Sequence, residues 1–406
     1  MRVSTFQFYQ TSSANIGRKA AELSSQSPYI SDGKRVLTAK DDPVANGTIS
    51  GIKEELVRLE QYNRNIDSAE ASNALGETVF ASVENLLMRV QVLAIAANNG
   101  ANSQDDMRAI ATELKGAYDE LVSLANTRDE SGNYIFAGYQ TDKQPFLVGG
   151  DGSVSYQGDY GERQVQVGGG VYVATSQAGD SVFLKAPNAI GDFLPSYATN
   201  GGGISVRKAE IVDPGSYNAV GVPPNYNFSF TDADSDGVME LTVTDSSSAT
   251  VYSTAAYTPG QTIAFNGIEV ALDGNPLPGD SLSLTPGQEV SIFETMQNLI
   301  GWVETSRVSG TREQNGVDYG QYLSQLNASL THITTRRAEV GSRLNTLERQ
   351  TNLNEDLALT LNESKGKLED LDYAKAVAEF EQAKLALQAS QQTFTQLQGL
   401  SLFNYL

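Results

Sequence analysis

At both ends of the chain apolar side chains recur in steps of three and four; in the middle they alternate with polar ones. Phe6, Tyr9, Ser13, Ile16, Ala20 and Leu23 form one stripe, which predicts a helix that Pro28 ends. A loop, "ISDGKRVLTAK", leads into "DDPVAN", where Asp42 is placed to cap a helix and Pro43 suits its first turn. The stripe Ala45, Ile49, Ile52, Leu56, Leu59, Asn63, Ile66 follows, then changes phase to Val79, Val83, Leu86, Val90, Leu93, Ala97. Such a shift is the mark of a stutter in a coiled-coil-like repeat. "NNGANSQDD" reads as a turn with caps, and Ile110, Leu114, Ala117, Leu121 and Leu124 predict a third helix.

The other end is more regular. From Leu323 the a and d positions fall at Leu326, Leu330, Ile333, Arg337, Val340, Leu344, Leu347, Thr351, Asn354, Ala358, Leu361, Lys365 and Leu368, ten of the fourteen being apolar. At 1.5 Å per residue an unbroken helix from Tyr319 to Leu368 would be about 75 Å long. The pattern resumes at Val377, Phe380, Ala383, Leu387, Ser390, Phe394 and Leu397, and ends in "LQGLSLFNYL". That decapeptide holds Leu397, Leu400, Leu402, Phe403, Tyr405 and Leu406, an apolar tip where a chain is ordinarily most exposed to water.

In the middle the period falls to two: "VSYQG", "RQVQV", "VYVAT", "NYNFSF", "MELTV" and "TIAFNGIEVAL" read as short strands, with hairpin turns at Asp236-Gly237 and Asn266-Gly267. Ten of the 12 prolines and 21 of the 37 glycines lie between Asp142 and Gln288. The predicted fold class is therefore α+β and multidomain: a long antiparallel, coiled-coil-like rod made by both flanks, with an inserted all-β domain. We place terminal helices at 1–40 and 372–406, the rod at 41–139 and 290–371, and the insert at 140–289, in two lobes (140–200 and 204–289) joined by a hinge at "NGGGIS".

Charge and composition narrow the chemistry. With 28 basic against 49 acidic side chains, a net charge of −21 and no basic stripe, nucleic acid is not an expected partner. No cysteine is present, so no disulfide or thiolate metal site is available. The opening "MRVSTFQFYQTSSANIG" has no apolar leader and no run of 18 apolar residues occurs, so neither membrane insertion nor a cleaved signal peptide is expected. The single histidine, His332, sits beside an a/d position and reads as a helix-surface residue without a partner for a triad or metal site. "DADSDG" places Asp232, Asp234 and Asp236 at the 1, 3, 5 spacing of a calcium loop with Gly237 at position 6, but position 12 is Val243; the plainer reading is an acidic hairpin turn. The pairs Asp41/Asp42 and Asp105/Asp106 stand where helices begin, which suits capping. No enzyme and no cofactor are expected.

The informative property is where charge is missing. No charged side chain occurs from Val3 to Gly17 or from Leu385 to Leu406. In a symmetric array each charge would face its own copy, so uncharged Gln/Ser/Thr-rich helices suit packing among identical subunits. Phe6, Tyr9, Ile16, Leu23, Phe380, Leu387, Phe394, Leu397, Leu400, Leu402, Phe403 and Leu406 are the expected assembly contacts.

"SDGKRVLTAKDDPVANG", "QYNRNIDSAEA", "GNYIFAGYQTDKQPF", "YQGDYGERQVQV" and the closing stretch from "LEDLDYAKAV" to "SLFNYL" resemble the bacterial flagellar hook-associated proteins of the FlgL type. Within the first motif the resemblance assigns the turn and helix start to Gly33, Lys34, Arg35, Asp41, Asp42 and Pro43. It implies export through the flagellar type III system, a chaperone on the C-terminal helix, and a ring of copies between hook-associated protein 1 and flagellin outside the cell. It further implies that the terminal helices are mobile or chaperone-held before assembly and then form the inner wall of the tube. Flagellins share the plan, but Pro43, the strand entry "YIFAG" at Tyr134–Gly138 and the "SLFNYL" end differ from their usual pattern. The alternatives are flagellin itself, or a helical-stalk adhesin with a calcium- or glycan-binding insert.

Overall fold

The computed structural model describes residues 5–219, 225–305 and 312–403. Three helices come first: α1 (Thr5–Asp32), α2 (Pro43–Ala97) and α3 (Gln104–Ala125). Strands β1 (Phe146–Val148), β2 (Val154–Tyr156), β3 (Gln164–Gly168) and β4 (Val171–Ala174) follow, then a π-helical turn (Asp180–Leu184) and β5 (Ala186–Pro187). The insert continues with β6 (Phe193–Thr199), β7 (Ser205–Ile211), α4 (Pro214–Ala219), β8 (Tyr226–Thr231), β9 (Glu240–Asp245), β10 (Thr250–Thr254), β11 (Thr262–Phe265), β12 (Ile268–Asp273), β13 (Ser281–Pro286) and β14 (Glu289–Val290). Three helices close the chain: α5 (Ile292–Thr305), α6 (Arg312–Glu369) and α7 (Tyr373–Phe403). Helical flanks around an antiparallel β insert are the expected fold class. Two compact units result, one of residues 1–64 and 349–406 and the other of residues 65–348, and α2 and α6 contribute to both.

In the larger unit α2 and α6 run antiparallel: Gln91 meets Asn327 at 2.7 Å, Glu84 meets Arg337 at 2.7 Å, and Ile66 packs with Leu347. The a/d side chains Leu326, Ile333, Val340 and Leu347 are buried, and Arg337 is accepted in that seam because it also pairs with Glu77 at 2.5 Å. The α3 helix starts at a capping box in which Ser103 and Asp106 bond each other's backbone N–H, and it buries Leu114, Ala117 and Leu121. Against it packs α5, whose Phe293, Met296, Leu299, Trp302 and Val303 are buried and which the heptad pattern did not announce. Its Phe293 joins Phe136, Phe146 and Phe183 in an aromatic cluster with ring centroids 5.2–5.8 Å apart. Over one window α2 is apolar and long enough to cross a membrane; its Val79, Val83, Leu86, Leu87, Val90, Ala94 and Ala97 lie in this same core, while Met88, Val92 and Ile95 are exposed.

The insert's main part is a sandwich. A five-stranded antiparallel sheet, ordered β10-β9-β8-β13-β6, faces a three-stranded one, β11-β12-β7. Strict alternation along β8 turns Tyr226, Phe228 and Phe230 inward against Phe265, Val270, Leu272 and Leu282 of the other strands. The hairpin turn at Asn266-Gly267 has both φ angles positive (48° and 75°), as a tight two-residue loop needs. The β5 and β14 strands pair side by side where the chain enters and leaves this part.

Four local expectations are corrected. Pro28 does not end α1, which continues to Asp32; proline forfeits one hydrogen bond there, while Lys34 N–H to Tyr29 O (3.2 Å) and Tyr373 O–H to Ile30 O (3.3 Å) hold the last turn. "NGGGIS" is no hinge between lobes: Ile190, Phe193, Ile204 and Val206, from both sides of it, share one core. Its backbone is pinned by the buried Asp280, whose carboxylate accepts from Gly201 N–H (2.7 Å), Gly202 N–H (2.9 Å) and Leu277 N–H (2.8 Å). "YIFAG" is not a strand but a buried turn with isolated bridges, Arg128 to Tyr134 and Ala137 to Ala178. His332 is not on the surface: only 9% exposed, it donates from Nε2 to Ser181 O at 3.0 Å.

Candidate assembly site

The smaller unit combines a long apolar pattern with very little core. Among the described residues its one buried apolar cluster is Val36, Ala45 and Ile49, with Leu368 against it. The α1 and α7 helices pack on each other, and the rings of Tyr9 and Phe394 meet edge to face at 5.8 Å. Ile16, Leu23, Phe380 and Leu387 are half-buried. Among the described residues no side chain of α1 or α7 is fully buried. The side chains of Phe6, Leu397, Leu400, Leu402 and Phe403, and Leu406 altogether, lie outside the described residues.

Apolar side chains missed by the stripe reading stand in water on the same unit: Val44 (80% exposed), Val57 (61%), Leu353 (59%) and Leu359 (62%) on α2 and α6, with Leu385 on α7; Val377, a stripe position, is exposed as well. Apart from Val377 they are off the stripes, and their only sequence sign was their hydrophobicity.

The turn after α1 is tightly built. Gly33 takes φ +69°, and a Cβ there would lie 2.7 Å from the Tyr373 hydroxyl oxygen. Lys34 Nζ binds the buried Glu369 at 2.8 Å and Lys53 reaches the same carboxylate at 3.4 Å, so the two ammonium groups hold Glu369 below its usual carboxyl range, the Lys34 hydrogen bond contributing most. Arg35 donates through its backbone N–H to Glu369 O (2.7 Å), through its guanidinium to Leu368 O (2.9 Å), and pairs with Asp42 at 3.3 Å. Leu371 N–H returns to Gly33 O at 2.9 Å. Asp41 accepts from Tyr29 O–H (2.6 Å), Thr38 N–H (2.8 Å) and Leu37 N–H (3.1 Å); led by the tyrosine bond, these hold its carboxyl down at about 2. Asp42 accepts from Ala45 N–H at 3.0 Å, where α2 begins at Pro43. Glu369, Lys53, Tyr29 and Tyr373 were not foreseen, because their partners lie hundreds of residues away or across a turn.

The acidic turn between β8 and β9 brings carboxylate oxygens of Asp232, Asp234 and Asp236 within 4.8 Å of one another. They also organise the turn itself: Asp236 N–H, Gly237 N–H and Val238 N–H donate to Asp234 (3.3 Å), Asp232 (3.3 Å) and Asp236 (2.7 Å). Strands flank it, so it is a hairpin loop and lacks the helices of a calcium-binding hand.

Comparison with known proteins follows this anatomy. Residues 3–141 match the bacterial flagellin N-terminal helical region and residues 323–406 the bacterial flagellin C-terminal helical region, together more than half of the chain. Flagellar hook-associated protein 3 of Escherichia coli K12 is 26% identical over 411 residues, covering 99% of each chain. Flagellin B of Vibrio cholerae is 23% identical, over 90% of this chain and 88% of its own. The crystal structure of flagellar hook-associated protein 3 from Legionella pneumophila superposes with a TM-score of 0.70 at 29% identity, over 79% of this chain and 98% of that one. The chain belongs to the flagellin family of bacterial flagellar proteins, in its hook-associated protein 3 (FlgL) group.

Proposed function

We propose that the chain is a structural subunit of the bacterial flagellum, forming the junction layer between the hook, on its hook-associated protein 1 side, and the flagellin filament. The observation that carries this is the unit built from both chain ends: α1 and α7 bury no described side chain completely, while large apolar groups of α2, α6 and α7 face water. Copies of the chain, packed as a ring, would cover these groups, and uncharged termini allow identical helices to crowd without stacked like charges. Export without a cleaved leader and a chaperone on the C-terminal helix belong to the same reading, as does the absence of any catalytic role.

The assembly contacts are tested by deleting residues 397–406. The truncated chain should keep the circular dichroism of its β insert and lose incorporation into flagella. Filament growth on a strain carrying only the truncated chain would overturn the assignment. Against the flagellin alternative, which the weaker likeness to flagellins such as flagellin B keeps open, seeded growth decides: a junction subunit adds a finite layer, a flagellin extends without limit.

A further inference from the structure

Two buried side chains one heptad apart on α6 hold the backbone that leads into the sandwich. Gln325, 7% exposed, accepts from Ala189 N–H at 2.9 Å and donates to Pro187 O at 3.1 Å. His332 donates to Ser181 O at the π-helical turn. Between them Ser329 is fully buried and its hydroxyl has no partner among the described residues. Gln325 cannot titrate. His332 can, and it is the only histidine in the chain.

We propose that the contact of His332 with Ser181 is an acid-released latch between α6 and the root of the insert, closed by the neutral imidazole and opened when the ring takes a proton from solution. The turn offers the ring backbone carbonyls; Asp180, at its start, is paired through Oδ2 with Lys185 at 2.9 Å, and its buried Oδ1 has no hydrogen-bond partner among the described residues. From α6 itself, Arg336 and Glu339 face the ring with opposite charges. Burial lowers the imidazole's proton affinity most. The Ser181 carbonyl works against that, Arg336 adds to it, and the Val182 carbonyl and Glu339 oppose it more weakly, leaving the ring below its ordinary 6.5. A proton is thus bound more readily when the ring is out in water, so stability from this contact is full above 6.5 and is lost as pH falls through the lowered value. Opening frays Ser181–Leu184, while the Gln325 clamp keeps Pro187 and Ala189 in place.

A lone histidine gives a lone imidazole resonance, so its titration midpoint in the full-length chain can be read directly by NMR. The expected midpoint lies below 6.5, and amide protection at Val182, Phe183 and Leu184 should fall by up to about tenfold per pH unit between 6.5 and that midpoint and level off below it. Ala189 should keep its protection. In His332→Gln, which retains an N–H donor without a titrating group, the acid loss at the turn should vanish. A midpoint at or above 6.5 would overturn the latch, as would an equal acid loss in the glutamine variant. The wild-type midpoint decides by itself should the variant fail to fold.

Discussion

Replacing Gly33 with alanine puts a methyl group where the turn after α1 has no room for one. Two costs arise. At φ +69° an L-residue is worse than glycine by about 1–2 kcal/mol. The new Cβ would stand 2.7 Å from the Tyr373 hydroxyl oxygen, so the ring must swing away and give up its bond to Ile30 O at 3.3 Å, a further loss of about 0.5–1.5 kcal/mol. The sum is about 1.5–3.5 kcal/mol. It should appear in hydrogen exchange as a roughly 10- to 400-fold loss of protection at the amides of Arg35 and Leu371, which bond Glu369 O and Gly33 O across this turn. The fluorescence of Trp302, buried in the other unit, should not change. Tyr373→Phe removes the overlapping oxygen, so the double variant should be less impaired than the two single losses added together. Unaltered protection in Gly33→Ala, or strict additivity with Tyr373→Phe, would refute the close-packing argument.

Asp41, held at about 2 by its hydrogen bonds, should support the turn fully above the ordinary carboxyl value of 3.8 and lose that support as pH falls towards 2; Thr38 amide exchange should follow this course in the wild type and lose its pH dependence in Asp41→Asn. Phe183→Ala empties the centre of the aromatic cluster and should destabilise the larger unit by about 3–5 kcal/mol, read as an earlier urea transition in Trp302 fluorescence; a loss under about 1 kcal/mol would mean the cluster collapses to fill the space.

Sequence periodicity reveals helices that pack along their length and is silent on what packs across them. The heptad stripe of α6 foretold the burial of Leu326, Ile333, Val340 and Leu347, because one repeating face meets one neighbour. It placed His332 on the surface since α6 has a second buried face, towards the insert root, with no repeat of its own. Strands β8, β9, β11 and β12 were legible as alternating runs closed by local turns. Strands β6, β7 and β13 were not, for β13 finds β6 and β7 finds β12 across long stretches of chain. The short α5 carries its own stripe, Ile292, Met296, Leu299 and Val303 in steps of three and four, but lies outside the heptad run that begins at Leu323. At the candidate site the helix-start aspartates were readable from local capping rules. Glu369 was not, since its role depends on Lys34 and Lys53 arriving from the other end of the chain.

The pairing of β5 with β14 sets Ala186 beside Val290 and Pro187 beside Glu289, so the polypeptide leaves the helices and returns to them through one narrow doorway. Whatever is threaded through that doorway need only bring its two ends together. The outer sandwich can therefore diverge, shrink or be exchanged in evolution while the helices keep their register, and the molecule separates a part free to vary from the part proposed to pack among its copies.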